Sequence, residues 1–115
     1  MTRSEEIARL VARIASDKKG MDVVILDLRG ISLIADYFVI TSGATTIQVQ
    51  ALARHIEEGL GQLGIRPLRR EGWRQASWIL LDYGEVVVHI FLEEVRRFYD
   101  LERLWGDAEV VNWEG

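Results

Sequence analysis

Residues 77–91 hold two apolar runs, Ser77-Trp78-Ile79-Leu80-Leu81-Asp82 and Val86-Val87-Val88-His89-Ile90-Phe91, joined through Tyr83-Gly84-Glu85. β-Branched and aromatic residues fill both runs, and Gly84 can take the positive φ of a tight turn, so the segment predicts a β-hairpin. Side chains alternate between the two faces of a strand. Trp78, Leu80 and Asp82 therefore point one way, and Ile79, Leu81 and Tyr83 the other. On the partner strand, Val86, Val88 and Ile90 oppose Val87, His89 and Phe91. Both faces are largely apolar. Strands of this kind need cover on both sides, so the pair belongs inside a sheet that carries helices.

The rest of the chain supplies that frame. Thr2 and Glu5 have the spacing of a capping box, and Ile7, Leu10, Val11, Ile14 and Ala15 recur at helical spacing up to Lys18-Lys19-Gly20. Residues 23–28 predict a strand ended by Arg29-Gly30, and residues 37–41 predict a second strand. Such close neighbours pair antiparallel. The hydroxyl-rich stretch from Ser42 to Thr46 suits a helix cap. The helix behind it has Val49, Leu52, Ala53, Ile56, Leu60 and Leu63 on one face, with Gly64 as its stop. Residues 66–70 predict an edge strand or loop. Residues 93–105 predict one helix, with Val95, Phe98, Tyr99, Leu101, Leu104 and Trp105 as apolar members, and the last ten residues predict a loose tail. At 115 residues with no linker, the chain is expected to form one domain over residues 1–108 followed by a tail, 109–115. The order α-β-β-α-β-β-β-α predicts an α/β fold with a single mixed β-sheet flanked by helices.

Two long amphipathic helices and one short C-terminal helix cover one sheet face well and the other in part. An apolar patch left on the second face marks a partner surface, unless the C-terminal helix folds back over it.

Chemistry is thin. The chain has no cysteine, which removes disulfides, thiolate zinc sites and thiol nucleophiles. His55 and His89 stand alone, without metal-ligand spacing. His89 with Asp82 and Ser77 or Ser42 lacks the G-x-S-x-G context of a hydrolase, and a strand histidine among apolar neighbours is a packed or interface residue. Ser42-Gly43 lacks the G-x-x-x-x-G-K-[ST] of a phosphate loop. No strand carries an Asp-x-Asp or Asp-x-Glu pair. A metal-dependent enzyme using Asp27, Asp36 or Asp82 is the alternative; the residues favour no enzyme, no metal and no cofactor. The net charge of −4 argues against a protein that binds nucleic acid by itself. Arg66, Arg69, Arg70 and Arg74 form the one basic patch, suited to a minor RNA contact or to guarding a sheet edge. Arg96 and Arg97 beside Tyr99 suit the rim of an aromatic anchor, or plain solvated helix charge. No run approaches the roughly 20 apolar residues of a membrane span, and Met1 to Glu6 lack a signal-peptide layout. The expectation is a soluble, cytoplasmic, bacterial protein.

The run from Trp78 to Phe91, followed by Glu94, Arg96, Phe98-Tyr99, Leu101-Glu102 and Leu104-Trp105, resembles the signature of the ribosomal silencing factor family, also called RsfS or Iojap. Asp27, residues 34–40 (Ile-Ala-Asp-Tyr-Phe-Val-Ile) and Ser42-Gly43 match upstream, so the likeness spans roughly residues 5–108. The resemblance implies a nucleotidyltransferase-like fold without known catalysis. It implies binding to the large ribosomal subunit through that subunit's fourteenth protein, at the intersubunit face. The bound factor blocks joining with the small subunit and so represses translation, and restrains ribosome biogenesis, when nutrients are scarce. It also implies a homodimer when free. On the face alternation, the expected partner contacts are Trp78, Leu80 and Asp82, with His89, Arg96 and Tyr99 behind them.

Overall fold

The computed structural model describes residues 2–114. Helix α1 (Arg3–Asp17) starts at Thr2, whose hydroxyl accepts from the Glu5 N–H at 3.2 Å. That is half of the expected capping box. The Glu5 carboxylate turns away from the cap and accepts from Arg9 Nε at 3.1 Å and from the Tyr37 hydroxyl at 3.4 Å. Strands β1 (Met21–Asp27) and β2 (Tyr37–Gly43) pair antiparallel. β2 runs two residues beyond its apolar stretch, so Ser42 and Gly43 belong to the strand and Thr45 caps α2 (Thr46–Gly61), accepting from the Gln48 N–H at 3.1 Å.

A short edge strand β3 (Arg69–Glu71) and the hairpin strands β4 (Trp78–Asp82) and β5 (Val86–Leu92) follow. With β6 (Glu109–Val110), the single sheet has the order β3-β4-β5-β2-β1-β6. β5 lies parallel to β2 and antiparallel to β4, so the sheet is mixed and the hairpin sits within it. The turn forms as expected, with Gly84 at φ +89° and its N–H donating to Asp82 Oδ1 at 2.8 Å.

Two expectations fail at the C-terminal end. The helix predicted over residues 93–105 breaks at Asp100, which takes φ 49°, into α3 (Glu93–Tyr99) and α4 (Leu101–Leu104). Phe98 and Tyr99 are chain neighbours and cannot both face inward from one helix. The break lets Val95, Leu101 and Trp105 reach the sheet while Phe98, Tyr99 and Leu104 stay exposed. The tail is not loose over its described residues either: Glu109–Val110 pair with β1 as β6, and the Trp113 indole donates to the Val23 carbonyl at 3.2 Å. The strand's partner lies far upstream, where no local pattern reports it.

The sheet's two faces are covered unequally. α1 and α2 lie over Ile25, Tyr37, Val39, Ile79, Leu81, Val86, Val88 and Ile90, which are all buried. Gly59 of α2 faces the Ile14 side chain of α1, and a Cβ there would have to displace the Ile14 Cδ1 tip. Leu63, expected on this apolar face, lies past the end of α2 and is exposed. The opposite face buries Leu26, Leu28, Ile40, Val87, His89 and Phe91 with Leu101, and Val24, Phe38, Trp78, Val95 and Trp105 pack partly buried around them.

Candidate functional site

The β4–β5 register sets Trp78 opposite Phe91, Leu80 opposite His89 and Asp82 opposite Val87. These six residues share the face turned away from α1 and α2, as alternation predicts. β5 runs directly into α3, so the helix lies beside the start of β4. There the Trp78 ring lies 4.8 Å from Phe91 and 4.8 Å from Tyr99, centroid to centroid, and Phe98 packs edge-on to Tyr99 at 5.1 Å. Gln75, Ser77, Trp78, Glu94, Val95, Phe98 and Tyr99 line a groove of about 500 Å³ between the helix and the strand. Phe98 is 81% exposed and Tyr99 50%. Aromatic side chains held open in this way are the residue types that anchor protein interfaces.

The six expected contact residues separate into three groups. Trp78 and Tyr99 meet in the groove, and half-buried Leu80 lies two residues further along the same face. Asp82 serves the turn and the sheet edge, accepting from the Gly84 N–H and from the Arg69 guanidinium at 3.3 Å. His89 and Arg96 are buried and lie beneath the surface they were expected to form. Arg96 Nη1 donates to Ser42 Oγ at 2.8 Å and to the Met21 carbonyl at 3.3 Å, while Nη2 donates to Glu102 at 3.3 Å. It ties both short helices to the ends of β1 and β2. His89 accepts the Trp78 indole N–H on Nδ1 at 3.1 Å. Burial pushes its pKa down to about 4, so the ring is neutral near pH 7.

Sequence reasoning missed Phe98 and Val95 as groove residues. The adjacent pair Phe98-Tyr99 was the available signal, because two neighbouring helical aromatics cannot both be core. The loop before β4 also shapes the groove. Gly72 takes φ +80°, and a Cβ there would run into the Trp78 carbonyl, so only glycine lets the chain turn this tightly into the strand.

The carboxylates considered for metal chemistry lie in different settings. Asp27 accepts from Arg29 at 2.8 and 3.0 Å, which holds its pKa below the usual range; Asp36 accepts from Ser4 at 3.2 Å; Asp82 is occupied as described. Among the described residues, no three His, Cys, Asp or Glu side chains gather into a metal-binding group, and no helix is long and apolar enough to cross a membrane. In the basic patch, Arg69 pairs with Glu71 and Asp82, and Arg70 pairs with Glu57 and stacks on Trp73 at 4.7 Å. Arg66 and Arg74 make no ion pair among the described residues.

A family model described as "Ribosomal silencing factor during starvation" matches residues 1–115. The chain belongs to the ribosomal silencing factor family. A ribosomal silencing factor RsfS from Halalkalibacterium halodurans is 46% identical over 97% of this chain and 96% of its own length. The crystal structure of a Chromobacterium violaceum protein superposes with a TM-score of 0.87 at 34% identity, covering 91% of this chain and 88% of the other. A mouse protein named for mitochondrial assembly of the ribosomal large subunit is 27% identical over 84% of this chain and 43% of its own length. Membership in the ribosomal silencing factor family implies ribosome-associated translation regulation. The expected α/β sheet with flanking helices agrees with the solved relative.

Proposed function

We propose that this protein silences ribosomes by docking the Trp78–Tyr99 groove onto the large ribosomal subunit, through the subunit's fourteenth protein at the intersubunit face. The bound factor occupies the space the small subunit needs, and translation falls when nutrients are limited. The observation that carries the reading is the open aromatic groove on the less covered sheet face. Obstruction needs affinity and position, not bond chemistry, and the side chains at the groove fit that role. The name of the mouse relative points to the large subunit rather than the small one. A standard interface of about 1,600 Å² with a few aromatic anchors is sufficient. Arg66 and Arg74 are the members of the basic patch best placed for a minor rRNA contact. The free protein is a cytoplasmic homodimer in this reading, and a dimer that covers the groove is autoinhibited.

Sedimentation with purified subunits tests the proposal. The protein should travel with free large subunits and be absent from joined ribosomes. Equal distribution over both species refutes it, and the mass of the subunit-bound form decides whether one copy or two are present.

A further inference from the structure

We propose that His89 is the positioning residue of the docking groove, holding the Trp78 indole in place by accepting its N–H on Nδ1. The inference rests on the docking reading above and assigns a task to a residue that the partner never touches. An indole nitrogen only donates, so Nδ1 must carry the lone pair and the ring proton must sit on Nε2. That Nε2–H is buried and finds no hydrogen-bond partner. An unmet buried donor is costly, and Leu or Phe at position 89 would continue the apolar face without it. What the histidine adds is an acceptor for Trp78 at 3.1 Å.

The neighbours fix the imidazole for this task. Phe38 of β2 meets the His89 ring edge-on at 4.4 Å, and Phe91 lies nearly parallel to it at 6.2 Å with 11° between planes. Because burial keeps the ring neutral at physiological pH, the acceptor is available throughout that range. The indole's polar edge is satisfied from within, so its apolar surface is what the groove offers. A partner need not supply an acceptor, and the hydrogen bond to His89 cuts the Trp78 rotamer freedom left to lose on binding.

Three variants and one spectrum test this. In the wild-type protein, long-range ¹H–¹⁵N correlation should show His89 as the Nε2–H tautomer, with the Trp78 indole proton protected from exchange. His89→Phe should lose that protection and bind purified large subunits about five- to tenfold more weakly, the scale of one net hydrogen bond. His89→Asn places an amide oxygen near the Nδ1 position and should restore both readouts. An Nδ1–H tautomer in the wild-type protein overturns the inference even if His89→Phe does not fold. Wild-type affinity in a folded His89→Phe does the same, as does His89→Asn failing to rescue. Trp78→Ala separates the two levels. If it leaves subunit binding unchanged, the docking reading itself fails; if it abolishes binding while His89→Phe keeps it, only the positioning role fails.

Discussion

The two faces of the sheet are built from different materials. Under α1 and α2 the strands present aliphatic residues, nearly all fully buried, sealed by two helices of 15 and 16 residues. On the other face Phe38, Trp78, His89 and Phe91 stand among aliphatic residues, and the cover is two helices of 7 and 4 residues. Ile79 and Trp78 are chain neighbours on opposite sides of one strand. The first is completely buried and the second is partly buried with a hydrogen-bonded edge. The difference teaches that one strand serves two ends: its inward residues hold the fold, and its outward ones remain available to a partner.

Substitution at those neighbours gives the largest expected contrast. Ile79→Ala should cost about 3–4 kcal/mol in urea unfolding, a buried aliphatic deletion, with no change in the subunit affinity of the folded fraction. Trp78→Ala should also cost stability, since it uncovers Phe91 and leaves the buried His89 Nδ1 unpaired, but it should stay folded and, unlike Ile79→Ala, lose the large subunit. Equal behaviour of the two variants in both assays would erase the distinction between faces.

Acid should strain the aromatic face selectively. The folded pKa of His89, about 4, lies below the ordinary 6.5, so below pH 6.5 the unfolded chain takes up a proton that the folded one refuses. Stability from this group is complete above pH 7, declines as pH falls, and is lost by about 3 kcal/mol near pH 4. Urea unfolding across that range should show this slope, and His89→Asn should lack it. A wild-type curve parallel to that of the variant would mean the imidazole is not held neutral by burial. The smallest effect belongs to Phe98→Ser: within about 0.5 kcal/mol of wild type in stability, since the ring is already exposed, yet weaker in subunit binding.

Much of this was legible in residue order. Alternation along residues 78–91 placed every side chain of the hairpin on its correct face, because a strand's period of two leaves no freedom once the ends are set. Helical spacing found α1 and α2 from their apolar stripes. Apart from Phe98, for which the adjacent Phe98-Tyr99 pair was a local signal, the misses share one cause, contacts between distant parts of the chain. The break at Asp100 answers a sheet surface that the residues around 100 do not encode. β6 depends on the open edge of β1. Arg96 looks like a surface candidate in sequence and His89 reads as either packed or interface; both are internal supports once Phe38, Phe91 and Ser42 close around them.

The parallel pairing of β2 with β5 has a consequence for how the molecule is acquired. Each residue of Tyr37–Gly43 meets a mate about fifty residues later in the chain, at the very middle of the sheet. Neither half of the polypeptide can therefore complete a stable layer by itself, and a large loop must close before the centre zips up. Cleaved between α2 and β3, the pieces should remain unstructured apart and regain ordered structure when mixed, which makes that connection a natural place to split the protein for a complementation assay.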